Sequence, residues 1–433
     1  MIKSTKDMFL KKFLTTIYLF LVLFVSGCAN SNGPFLNLIP EEKEIELGNL
    51  YVYPAINEYD GLYPEKMVQE YISGLGQRLA RFSERKLPYK FYVVNSDVVN
   101  AFALPGGPVI VTRGLLLTLD KESQLAGVLA HEIGHITAKH HVKMLEKQLA
   151  LNFLLQIGSL LVPQDLTGEI LLRLGAVSAS LLQLKFSRDQ EKEADYYGFL
   201  FAYKAGFSPQ GMIEVFEKFK QMQKERPPEW LSTHPLPETR IKEAQNYINT
   251  FKPSGAFISD TEKFQKIKNL LVTTKPSYQQ VSKGKAEYKK KNLNSAEAYF
   301  KEALSLYPQN TVALVYLASI RLEKKDFESA KNYAIKAVEI DPNFFSAQLI
   351  AGISCFKIGE LSNSLVYLEK ASQLIPFNGI SYYYKGRVYE TQKQSSLALK
   401  NYQKALELGP QQASWYSDCK ARYQRLRFYY ENG

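Results

Sequence analysis

Two histidines and a glutamate in the string Leu129-Ala130-His131-Glu132-Ile133-Gly134-His135 are the residues of this chain best arranged for chemistry. On a helix, positions four apart differ by about 40° around the axis and about 6 Å along it. His131 and His135 therefore point the same way, spaced to share one metal ion, and the pattern suits zinc. Glu132 lies beside them, placed to take a proton from an attacking water. The string reads as metal-assisted hydrolysis with Glu132 as general base. Five residues can fall into this pattern by chance, so the reading needs a third ligand and a fitting context.

A second string supplies the ligand: Phe186-Ser187-Arg188-Asp189-Gln190-Glu191-Lys192-Glu193-Ala194-Asp195. Glu191 and Asp195 are four apart on a helix and share a face. Glu191 completes a two-His, one-Glu set and leaves a fourth position open for water. Asp195 is expected behind the ligands, accepting a hydrogen bond from the far nitrogen of a ligating histidine and fixing its tautomer. Glu193 points well away from Glu191 and reads as a solvent-facing charge. His141 falls at the third position of H-E-x-x-H-x-x-G-x-x-H, but Ala138 stands where that pattern needs a turning glycine. If the helix continues, His141 projects about 80° from His131, and His140 points to the opposite side.

These residues need a scaffold, and the rest of the chain outlines one. A short acidic helix is expected from Glu41 to Gly48 and a longer helix over 64–86. Strand patterns follow at Tyr89 to Val94, Val98 to Leu104 and Val109 to Thr112, with a tight turn at Pro105-Gly106-Gly107-Pro108. Helical patterns run from Leu115 to about Phe219, broken near Pro163. A proline-rich loop precedes a helix from Glu238 to about Phe251, and 253–276 reads as a linker region with some helix in it. Leu149 to Val162 and Ile170 to Leu184 are apolar nearly throughout. They are core helices, or a mobile flap that covers the cleft or dips into the membrane surface.

Beyond residue 276 the chain repeats. Prolines recur at 308, 342, 376 and 410, thirty-four apart. Small residues keep the same phase: Gly284, Ala318, Gly352 and Gly386; Ala296, Ala330, Ser364 and Ala398; Ala303, Ala337, Ala371 and Ala405. Two helices approach closely at such positions, and the proline ends the second. The pattern is that of four tetratricopeptide repeats over 277–410, with a helix in 411–433 covering the last.

With 433 residues, 45% hydrophobic and 22% charged, the chain is a folded protein of two or three domains. Its formal net charge of +11 is spread along helices with glutamates among the lysines. No basic block with interleaved aromatics stands out, so no nucleic acid is expected. Lys11 and Lys12 precede an apolar run from Phe13 to Val25, then Ser26-Gly27-Cys28. This is a signal peptide over 1–27 whose end resembles a bacterial lipobox, with Cys28 as the lipidated residue. Cys355 and Cys419 lie two repeats apart, on the order of 20 Å, too far for a bridge, and read as packed free cysteines.

Taken together, H-E-x-x-H, S-R-x-x-E-x-E-A-D, Asn100-Ala101-Phe102-Ala103-Leu104-Pro105-Gly106-Gly107 and Ser232-Thr233-His234-Pro235-Leu236-Pro237-Glu238-Thr239-Arg240-Ile241 resemble the gluzincin metallopeptidases of the HtpX and CAAX-prenyl-protease type. The lipobox and repeat tail make the likeness greatest to their BepA-like branch. The resemblance covers about 35–250. It implies one zinc per chain on His131, His135 and Glu191, with Glu132 as catalytic base. It also implies that His234 either joins the metal as an extra ligand, keeping the site closed, or stabilises the tetrahedral oxyanion, unless it is a purely structural loop histidine. Arg240 would orient substrate or stabilise transition-state charge, or else form a surface ion pair.

The expected fold is mainly α: a helical zincin-type metalloprotease domain with a small β-sheet, over 28–252, followed by an α-solenoid. The expected activity is that of a zinc endopeptidase on unfolded or misassembled cell-envelope proteins, which would add as a strand beside Val98 to Ala103. The repeats would dock substrate or an outer-membrane assembly partner. The lipid anchor would hold the chain at the periplasmic face of the outer membrane. The alternatives are a tetratricopeptide chaperone or assembly factor with little proteolysis, and a narrow processing peptidase.

Overall fold

A computed structural model describes residues 38–157, 185–225, 227–235, 238–251 and 255–432. The signal segment with Cys28, and most of the apolar stretches between Leu149 and Leu184, lie outside the described residues.

Helix α1 (Glu41–Glu58) runs ten residues beyond the expected Gly48, through Pro54. Its first turn carries Glu41, Glu42 and Glu44, which suit the positive end of the helix dipole. Its buried face, Leu47, Tyr51, Val52, Ala55 and Ile56, outweighs the disfavour of an internal proline. Helix α2 (Lys66–Ala80) precedes β1 (Lys90–Val94), β2 (Ala101–Ala103) and β3 (Pro108–Thr112). The three strands form one sheet in the order β1-β3-β2. β1 runs parallel to β3 with Phe91 opposite Val109 and Val93 opposite Val111. β2 runs antiparallel, Ala101 opposite Val111 and Ala103 opposite Val109. Side chains alternate across the sheet. Phe91, Val93, Ala101, Ala103, Val109 and Val111 join the main core, while Val94, Phe102 and Ile110 pack with α1.

After α3 (Arg113–Thr118), capped by the Thr112 side chain, comes α4 (Glu122–Thr137). Every residue of α4 is buried, which makes it the axis of the domain. It ends at Ala138 and Lys139, and α5 (His140–Ile157) starts in a new direction. Helix α6 (Arg188–Lys204) begins with a reciprocal cap between Ser187 and Gln190. Then follow α7 (Gln210–Met222), the single turn α8 (Trp230–Thr233) and α9 (Glu238–Phe251).

The expected linker region 253–276 carries the first half of a 28-residue helix, α10 (Glu262–Lys289). Phe264, Ile267 and Leu271 on it bury into the same core as α2 and α4, so this stretch is anchored to the sheet domain. The helices α11 (Leu293–Leu306), α12 (Thr311–Glu323), α13 (Phe327–Ile340), α14 (Phe345–Lys357), α15 (Leu361–Leu374), α16 (Gly379–Thr391) and α17 (Ser395–Leu408) complete the solenoid, and α18 (Tyr416–Asn432) follows it. Cys419 on α18 is buried against the last repeat, and both Cys355 and Cys419 are free thiols. The solenoid touches the sheet domain along its length: Lys285 pairs with Asp60 at 2.6 Å, Asp341 accepts from Leu62 N at 3.1 Å, and Phe377 lies 5.8 Å from Tyr51. Among the described residues no helix is long and apolar enough to cross a membrane.

Candidate metal centre

The two motif helices meet because two glycines let them. A Cβ on Gly134 would lie 2.8 Å from the Ala194 carbonyl, and one on Gly198 would lie 3.2 Å from the His131 backbone. Without side chains there, α4 and α6 cross closely enough for their polar faces to converge. One donor atom each from His131, His135, Glu191 and His234 lies within 4.8 Å of the others, and all four residues are buried. His131 Nε2 is 3.0 Å from His135 Nε2 and 3.6 Å from Glu191 Oε2. His135 Nε2 is 3.5 Å from Glu191 Oε1. His234 Nδ1 is 2.9 Å from Glu191 Oε1 and 3.4 Å from His131 Nε2.

These spacings bracket about 3.3 Å, the edge of a tetrahedron whose corners lie about 2.0 Å from its centre, as zinc ligands do. The donor chemistry fits as well. Imidazole nitrogens facing one another at such distances cannot all carry protons, so the set consists largely of lone pairs and one carboxylate. A divalent cation with nitrogen and oxygen ligands satisfies it.

The groups around the donors are ordered. His131 Nδ1 lies 3.0 Å from Asp195 Oδ1, where the proton of a ligating histidine is expected. Arg240 is 1% exposed and reaches Asp195 through Nε and Nη2 at 2.8 and 2.7 Å, Glu191 through Nη1 at 2.6 Å, and the Pro235 carbonyl at 2.7 Å. It is therefore not at the surface: its guanidinium engages Glu191, Asp195 and the Pro235 carbonyl. Burial pushes Asp195 up, but Arg240 and the His131 hydrogen bond outweigh it and hold its carboxyl below the usual range. Glu191, pushed up by burial and only partly drawn back by Arg240, sits at about 7. Burial and the surrounding imidazoles hold His135 well below its ordinary value. Burial lowers His234 to about 3.

Glu132 has both carboxylate oxygens engaged. The Trp230 indole N–H donates to Oε1 at 3.0 Å and the Ala103 N–H donates to Oε2 at 3.1 Å. Burial raises it to about 7. Trp230 also stacks on His234, centroids 4.5 Å apart, and its own backbone N–H bonds to the Val99 carbonyl at 3.3 Å. The α8 turn is tethered further by Glu229, which accepts from Tyr59 and Asn100. Phe186 walls the other side, 3.9 Å from the His135 ring.

Two expectations change. His140 does not point away: because α4 breaks after Thr137, its ring turns back to His135, with the two Nδ1 atoms 2.9 Å apart. Glu193 is not simply a solvated charge, since its Oε2 lies 3.1 Å from His140 Nε2. His141 is buried nearby but outside the donor group. Trp230 carries no signal in the sequence, whereas Phe186 opens the string around Glu191, and Asn100 and Ala103 lie in another quoted string.

The model of peptidase family M48 matches residues 66–248, and tetratricopeptide repeat models match 287–351 and 380–412. Residues 66–248 form a peptidase family M48 domain. All the donors described above fall inside it. The chain is 34% identical over 274 residues to a β-barrel assembly-enhancing protease of Yersinia pestis, covering 57% of this chain and 55% of that protein. The Escherichia coli (strain K12) protein of the same name is 34% identical over 226 residues, covering 49% and 45%. The chain is also 35% identical over 156 residues to the mitochondrial metalloendopeptidase OMA1 of Arabidopsis thaliana, covering 36% of this chain and 31% of that protein. The chain thus spans about half the length of the bacterial relatives it matches.

Proposed function

We propose that this protein is a zinc-dependent endopeptidase of the cell envelope that cuts unfolded or misassembled proteins, with the repeats docking substrate or an assembly partner. The observation that carries the reading is the convergence of His131, His135 and Glu191 with Glu132 at their side. Zinc, when bound, supplies a Lewis acid that polarises the scissile carbonyl and eases loss of a proton from the attacking water. Glu132 takes that proton and returns it to the leaving amine, a role its position near neutrality suits. Asp195 and Arg240 hold the ligands in orientation. The outer edge of β2 is where an extended substrate pairs, which favours unfolded segments or unpaired strand edges over folded surfaces.

His234 acts as a latch in this reading. It adds a fourth protein donor where a hydrolytic site needs an open position, while Trp230 occupies Glu132. The α8 turn must withdraw before substrate enters. Envelope location, with Cys28 lipidated and the chain held at the periplasmic face of the outer membrane, is part of the proposal and rests on the signal segment alone.

The test is metal analysis and casein proteolysis on the detergent-solubilised full chain. One zinc per chain is expected. Glu132→Gln should lower turnover about 10²- to 10⁴-fold with zinc retained, and His234→Ala should raise it. Undiminished cleavage by Glu132→Gln would refute the peptidase reading. Lower activity in His234→Ala would replace the latch with oxyanion stabilisation.

A further inference from the structure

Behind the donors, two residues form a brace that the peptidase reading does not use. Lys139, the residue after the α4 cap, adopts the left-handed conformation with φ of 57°. That single residue swings the chain so that His140, the first residue of α5, lies with its ring 4.9 Å from that of His135, at 70° to it. The two Nδ1 atoms are 2.9 Å apart. On its far side His140 Nε2 is 3.1 Å from Glu193 Oε2. The His140 side chain has no exposure, while that of Glu193 keeps 45%.

The protons have one consistent arrangement. His135 Nε2 faces the other donors and must hold a lone pair to bind a cation, so its proton sits on Nδ1. The atom opposite that N–H is His140 Nδ1, which must therefore be bare to accept it. The His140 proton then lies on Nε2 and is donated to the Glu193 carboxylate. A proton on both nitrogens of His140 would set N–H against N–H at 2.9 Å.

Resting on the metal-centre reading above, we propose that His140 and Glu193 are positioning residues that lock His135 in its metal-binding tautomer. They do for His135, through an intervening imidazole, what Asp195 does for His131 directly. The left-handed turn at Lys139 is what makes this possible, since a continuous helix would carry His140 away from the site. The two ligands of the motif are then braced unequally: one by a buried carboxylate, the other by a carboxylate in contact with solvent.

The test is zinc affinity by chelator competition on the full chain, with the tautomers read by nitrogen NMR. His140→Leu should weaken zinc binding about 10- to 100-fold, the usual effect of removing such a partner. His140→Asn, whose Oδ1 stands near the lost Nδ1 and accepts a hydrogen bond, should recover most of that loss. Glu193→Ala should cost less, because water can replace a half-exposed acceptor. Unchanged affinity in His140→Leu overturns the brace, as does an equal loss in the Leu and Asn variants, which would mean mere space-filling. If a variant fails to fold, the zinc-loaded wild type decides: a proton on Nε2 of His140 with a bare Nδ1 supports the proposal, and a proton on its Nδ1 overturns it. Wild-type protein that binds no zinc would remove the metal-centre reading and the brace together, a different outcome from zinc binding that ignores His140.

Discussion

The two regions of this molecule reach close packing by opposite routes. In the solenoid, each tight approach joins neighbouring helices and recurs with the period. Added Cβ atoms on Gly284, Gly352 and Gly386 would meet Phe300, Leu368 and Tyr402 at 2.7, 2.7 and 2.6 Å. In the second repeat both partners are small, Ala318 and Ala334, buried in one cluster. In the metal core the tight approach joins α4 to α6, which lie far apart in sequence, and it sets the ligand geometry as well as the packing. A defect in a repeat disturbs its neighbours and little else. A defect in the α4–α6 crossing separates donors that must agree to within about half an ångström.

Paired substitutions break or sharpen that contrast, and they carry the largest expected effect. Gly134→Val drives a side chain into the Ala194 backbone, which cannot move aside as a flexible side chain would. It should destabilise the protein by about 3 kcal/mol or more and weaken zinc binding at least about tenfold. Gly352→Val meets chiefly the Leu368 side chain. It should cost about 1–3 kcal/mol and leave zinc affinity unchanged. Denaturant melts and chelator competition read both quantities. Equal zinc loss in the two variants would mean that the repeats hold the metal site in shape.

The same contrast governs what the sequence reveals. Four repeats in phase disclose the solenoid because its contacts are local and recur with the period. His131, Glu132, His135, Glu191 and Asp195 are legible because helical spacing fixes which side chains share a face, and the structure brings all five to one point. The side on which His140 lies is not legible, because it depends on where α4 stops, and a left-handed lysine leaves no mark in the residue pattern. Trp230 was invisible because its indole meets Glu132 only after β2, α4 and α8 have assembled. The length of α1 is not legible either, since Pro54 reads as a breaker until the helix's buried face is known. The region 253–276 reads as a linker with some helix because it lies between two recognisable patterns, although Phe264, Ile267 and Leu271 trace a helical face along it.

A middle-sized effect is expected where the regions join. The Tyr278 hydroxyl on α10 donates to Asn95 Oδ1 at 2.5 Å, and the Arg113 guanidinium lies 4.0 Å from the ring centre. Asn95 Nδ2 in turn donates to the Leu62 carbonyl at 2.7 Å and to Thr311 at 3.2 Å, so one buried side chain ties the sheet domain to the second repeat. Tyr278→Phe leaves Asn95 Oδ1 without that donor, at a cost of about 1–3 kcal/mol. The two tryptophans report on different regions, Trp230 from the core and Trp415 from the solenoid. If the regions unfold as one body, both emission changes should shift to lower denaturant together. A shift confined to one tryptophan would show that each region melts on its own.

The last expected effect distinguishes the metal core through its protons. His135 and His234 are held below their ordinary range by burial, so both already present lone pairs at mildly acidic pH. Glu191 is a ligand that must lose a proton, because burial raises it to about 7. Above that pH it is ionised and zinc affinity should be flat with respect to this group. Below it each bound ion displaces a proton, and affinity should fall by up to about tenfold per pH unit. Glu132, also raised to about 7 by burial, sits beside the same cluster and steepens the dependence if the cation expels its proton too. Chelator competition between pH 8 and 5.5 should therefore give a slope of at least about one proton, lowered by up to one in Glu132→Gln. An affinity that stays level down to pH 6 would mean that Arg240 ionises Glu191 in the metal-free protein. The buried guanidinium would then set the ligand's charge before any cation arrives, and the metal core would come as preassembled as the repeats.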